Sequence, residues 1–173
     1  MKKTKFVVVA LMVFGLILSG NTNLALAVSP EISAEQKAAI IDHCDAIRKN
    51  LQNVQHQDSR TRVYYGRSYE TIFSKFIVPL NMRLTENNLL NDNLLNNQTK
   101  FAEIRADFST DYVEYQKSLE ELVSVNCKDE PERFYELLTQ TRLKRQVVDD
   151  DTVDLRKTIT TQIELVTSLK ESL

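Results

Sequence analysis

The sequence predicts an all-α protein: an elongated antiparallel bundle of three long arms with coiled-coil-like packing and one disulfide. Three observations carry this expectation. Beyond residue 27 there is one glycine, Gly66, and there are three prolines, Pro30, Pro79 and Pro131, so the punctuation that separates strands is missing. Apolar residues recur every three or four positions along most of the chain. Two cysteines, Cys44 and Cys127, stand behind a leader-like N-terminus, where an even count favours pairing.

The leader comes first. Lys2, Lys3 and Lys5 make a positive start, Val7 to Leu18 an uncharged apolar stretch, and Ala25-Leu26-Ala27 a small-x-small cleavage pattern. Residues 1–27 are therefore expected to be a signal peptide, and 28–173 a single helical-bundle domain. The apolar stretch is shorter than the roughly 20 residues a bilayer span needs. An uncleaved N-terminal anchor is the alternative. The expectation is an exported, extracytoplasmic protein of the cell envelope or extracellular space, with no membrane insertion after cleavage.

Charge narrows the partners. The whole chain has 22 basic and 24 acidic residues. The leader takes three lysines and no acids with it, so the remainder is more acidic still. Such a balance disfavours nucleic acid and anionic membrane surfaces. The expected partner is an unknown protein or envelope component.

The first helix opens on a capping box, Ser33 with Gln36. Ile40, Cys44, Ile47, Leu51 and Val54 then alternate four and three, a heptad seam. Tyr65, Tyr69, Ile72, Phe73, Phe76, Leu80 and Leu84 continue an apolar face, and Pro79 is expected to kink it. Between the two runs lies polar Gln55 to Arg62, where the arm either breaks, giving four helices, or runs straight through.

Residues 86–98 are rich in asparagine, which competes with helix by bonding its own backbone, and are expected to be a loop. The next helix carries Phe101, Ile104, Phe108, Tyr112, Tyr115, Leu119 and Leu122 and ends near Cys127. Asp129 to Pro131 reads as a turn with Pro131 in the first turn of the last helix. That helix keeps heptad phase through Phe134, Leu138, Thr141, Val148, Leu155, Ile159, Val166 and Leu169, interrupted by Arg145, Thr152 and Gln162.

The cysteines choose between the two arrangements. A disulfide needs Cα atoms within about 7 Å. Cys127 lies at a helix turn. In a four-helix bundle Cys44 would sit mid-helix, on the order of 20 Å from that level. With a continuous first arm, both cysteines lie at one end. Three arms of similar length are therefore favoured.

Sites are scarce. Asp42-His43-Cys44-Asp45 has the wrong spacing for metal ligands, because adjacent helical residues diverge. Asp149-Asp150-Asp151 with Asp154 lacks the glycine and terminal glutamate of a calcium loop, and reads as a solvated helix face. No Ser-His-Asp, Cys-His or phosphate-loop pattern is present, so no catalytic, cofactor or metal residue is assigned. Arg60, Tyr64 and Arg67 are spaced four and three on one helical stripe, apart from the core stripe of Tyr65, Tyr69 and Ile72. Arginine and tyrosine are the types that anchor interfaces, so these three form the candidate partner-binding patch. Gly66 beside them is expected to allow close backbone approach. The competing expectation has Tyr64 packed on a neighbouring helix and the arginines paired with acids of the last helix.

The run from Asp58 to Tyr64, Tyr69-Glu-Thr-Ile72, Lys75 to Asn81, and Asn126 to Tyr135 resembles small secreted helical proteins of candidate-phylum bacteria such as Saccharibacteria. That resemblance implies an exported helical protein with a paired cysteine and brings no activity with it. Together these readings point to a non-enzymatic binding or structural module. A periplasmic holdase-like chaperone, sharing export and long helices, is the alternative.

Overall fold

The computed structural model describes residues 32–89 and 91–172; the expected signal peptide, 1–27, lies outside them. The described residues form helices alone: α1 (Ala34–Ile72), a π-helical turn (Phe73–Ile77), α2 (Val78–Glu86), α3 (Asp92–Ser124) and α4 (Pro131–Glu171). α1, the π-turn and α2 make one arm, against which α3 and α4 run as an antiparallel hairpin.

Ser33 starts α1 with the expected capping box, its hydroxyl accepting from the Gln36 amide while the Gln36 side chain accepts from the Ser33 amide. The helix then passes through Gln55–Arg62 unbroken. Asp58 is the reason the polar stretch stays docked. Its carboxylate accepts from the Tyr115 hydroxyl at 2.6 Å and pairs with Arg145 at 3.5 Å. Arg62 lies 5.0 Å over the Tyr112 ring and donates to Gln116. One turn of side chains thus joins all three arms through polar groups.

The expected kink takes a particular form. Pro79 has no amide hydrogen, and its ring crowds the carbonyl four residues back. The turn before it widens to a π-turn, in which the Val78 amide reaches back to the Phe73 carbonyl. The widened turn shifts the helical phase. Ile77 and Asn81 become the buried positions, and Phe76, expected to face inward, is 64% exposed.

The Asn-rich stretch corrects the sequence reading more strongly. It is not one loop: α3 already begins at Asp92. Asn88 takes a left-handed conformation (φ 58°) and closes α2 in place of a glycine, with Leu89 and Asn88 amides returning to the Leu84 and Thr85 carbonyls. Asn91 caps α3 by accepting from the Leu94 amide at 3.0 Å. Asn97 then points inward. The same preference that opposes helix interiors makes asparagine a good helix terminus.

The α3–α4 hairpin is the most extensively packed pair; α1 lies on it more lightly. Phe101, Leu94, Leu122, Phe134 and Leu155 are fully buried. Leu137, not the expected Leu138, is the buried position in the second turn of α4. The arms are also unequal: α1 begins at Ala34, well before Cys44, while α3 has 33 residues and α4 has 41.

Both ends of the bundle are tied. At one end Cys44 and Cys127 form a disulfide with Cα atoms 5.6 Å apart, as the three-arm arrangement requires. Asp45–Lys128 and Lys37–Glu132 pairs flank it. At the far end, Asn97 donates to Gln162 at 2.8 Å and to the Thr158 carbonyl at 3.1 Å. Gln162 donates to Asn81 at 3.3 Å, and Asn81 donates to Gln98 at 2.8 Å. Each of the three arms contributes an amide to this network.

Candidate partner-binding face

Tyr69 and Phe73 set the orientation of the middle of α1. Tyr69 is buried edge-on against Phe101 and Phe108, and Phe73 stacks on Phe101. Arg105 lies 4.7 Å over the Phe73 ring and pairs with Glu70. With Asp58, Arg62 and Tyr69 turned inward, the 3.6-residue period turns Arg60, Tyr64 and Arg67 outward.

All three are exposed. Tyr64 is 69% exposed, and its ring contact is with Tyr65 of its own helix at 5.6 Å. It does not pack on a neighbouring helix. Among the described residues neither Arg60 nor Arg67 forms an ion pair. Two charge pairs link α1 to α4: Lys37 with Glu132 beside the disulfide, and Asp58 with Arg145 at mid-helix, where the acid is on α1 and the arginine on α4. Arg60, Val63, Tyr64, Arg67 and Thr71 line a wide, shallow depression of about 640 Å³. The expected close approach at Gly66 is absent, since a Cβ built there meets nothing within 4 Å.

The other candidates separate. His43 and Asp42 are exposed on the turn beside the disulfide, and Asp45 is held below its usual carboxylate range by its hydrogen bond from Lys128. Asp149 and Asp150 are exposed, as a solvated face requires. Asp151 departs from that reading. It is half-buried against α3, and burial, the charge and hydrogen bond of Asp111, and the charges of Asp107 and Asp154 push its carboxyl up to about 6.

Two features escaped the sequence. One is an apolar groove of about 430 Å³ between Ile72, Phe76 and Leu80 on one side and Ile159, Ile163 and Val166 on the other. Pro79 was its only signal, through the phase shift it imposes. The other is the carboxylate seam of Asp107, Asp111, Asp151 and Asp154. Its signal was the i, i+4 spacing of Asp107 and Asp111, which puts both on one face of α3.

No described helix is long and apolar enough to cross a membrane. No protein-family model, curated protein or solved structure matches the chain.

Proposed function

We propose that this is an exported, non-enzymatic helical module that binds a protein or envelope component through the Arg60–Tyr64–Arg67 face. One observation carries the reading: an arginine–tyrosine–arginine stripe stands outward on a helix whose opposite face, through Asp58, Arg62 and Tyr69, docks on the hairpin. Interfaces are anchored by such side chains. The Cys44–Cys127 bond supports the export part, since bonds of this kind persist in oxidising compartments.

The test is capture of envelope material on immobilised protein, wild type against Arg60→Ala/Arg67→Ala. The reading expects an unchanged melting temperature and lost capture. A lowered melting temperature would mean that the stripe serves the fold instead.

The groove around Phe76 favours a second reading, a holdase for exposed apolar segments. Its volume suits one or two side chains rather than a length of unfolded chain. Suppression of aggregation of a reduced client protein, abolished by Phe76→Ser with Ile163→Ser, would support it; no suppression by the wild type would remove it.

A further inference from the structure

Charge is segregated on this molecule. Between residues 59 and 85 the cations Arg60, Arg62, Arg67, Lys75 and Arg83 face a single acid, Glu70. The opposite holds at the middle of the α3–α4 hairpin, where Asp107, Asp111, Asp151 and Asp154 come together. The charges of Asp111, Asp107 and Asp154 act against the Asp151 carboxylate, which also hydrogen-bonds to Asp111.

The two regions lie on opposite sides. α1 meets α4 along Arg145, Val148, Thr152 and Arg156. At about 100° per residue, Leu143, Val147, Asp151 and Asp154 point well away from those positions. They line the side of the hairpin that α1 does not cover. On that side Leu143 is 66% exposed and Val147 46%, two turns and one turn before Asp151 respectively.

Resting on the reading of the Arg60–Tyr64–Arg67 face as a binding surface, we infer that its partner is a second copy of this chain, docking the Asp107–Asp111–Asp151–Asp154 seam of its hairpin. The fit is in both charge and polarity. Tyr64, flanked by Arg60 and Arg67, meets Val147, one turn before Asp151; Leu143, a turn further back, sits beside the Lys144–Glu114 pair. Guanidinium groups match carboxylates two bonds at a time and relieve the repulsion between them. Because the two surfaces lie on opposite sides, the contact is head-to-tail and leaves each end of the assembly open to another copy.

Sedimentation velocity of the oxidised full chain at pH 7.5 tests this. At low salt the average mass is expected to rise with concentration past the dimer. About 0.5 M salt, which shortens electrostatic reach to a few ångströms, is expected to return it to monomer. Arg60→Glu/Arg67→Glu alone and Asp107→Lys/Asp154→Lys alone should each be monomeric, all four positions being exposed. Mixed in equal amounts, the two variants should associate again, since each then presents what the other lacks. A wild type that stays monomeric up to its solubility limit overturns the inference, as does association that survives both reversals. A monomeric wild type whose Arg60→Ala/Arg67→Ala variant loses envelope capture would leave the binding face standing and give it to another partner.

Discussion

The two ends of the bundle are held by different means. At the turn end, a covalent bond ties α1 to the α3–α4 connection, with flanking ion pairs that are exposed and therefore weak. At the far end, Asn81, Asn97, Gln98 and Gln162 tie the arms by hydrogen bonds, beside the buried Ile77 and Leu94. The covalent tie acts on the unfolded chain and is indifferent to side-chain geometry at a distance. The amide network acts only when all three arms are in register, so it specifies as well as stabilises. Between these ties α1 is held by Asp58, Arg62 and Tyr69, all on its inward side, and its outward side is left to the Arg60–Tyr64–Arg67 stripe.

The largest effect should come from the covalent tie. Cys44→Ser with Cys127→Ser opens a loop spanning 83 positions of sequence separation. The chain-entropy argument gives a loss of about 4–5 kcal/mol, read as a lower denaturant midpoint. A loss under about 1 kcal/mol would mean that the far end and the core already hold the arms.

Next is Gln162→Ala. It strands the buried amide oxygen of Asn81 and one bond of Asn97, at a cost of about 2–3 kcal/mol. Combined with Asn97→Ala, the two losses should fall short of their sum, because the residues share a network. Strict additivity in chemical denaturation would show that the amides act independently.

The seam predicts a smaller, pH-dependent term. Asp151 has its carboxyl raised to about 6 from 3.8, so the folded state holds this proton more tightly than the unfolded state. Its charged form therefore costs stability above about pH 6, and the cost disappears as pH falls toward 4. Discounted for its partial exposure, this is about 1 kcal/mol. The melting temperature should rise from pH 7 to pH 5, and Asp151→Asn should flatten that rise. A wild-type curve that falls over the same interval would remove the seam as a source of strain.

How much of this was legible in the sequence follows from what each residue needs. Ser33–Gln36, Pro131 and the cysteines act over a few residues or through a covalent constraint, and each sits where its chemistry alone places it. The asparagines of 86–98 do not reveal their places, because one propensity serves two outcomes: capping at Asn91 and a tertiary amide bond at Asn97. Phe76 leaves the apolar face because Pro79 changes the helical period before it, which a fixed 3.6-residue count does not register. The unbroken passage through Gln55–Arg62 depends on Tyr115 and Arg145, far away in sequence. The stripe itself could be read from spacing; that its arginines stand without ion pairs among the described residues could not.

The smallest expected effect bears most directly on the division between ties and display. Thermal unfolding of the oxidised triple variant Arg60→Ala/Tyr64→Ala/Arg67→Ala should match the wild type within about 3 °C, corresponding to less than about 0.5 kcal/mol for exposed positions. A drop of 8 °C or more, on the order of 2 kcal/mol, would contradict the account and place the stripe among the contacts that hold the bundle together.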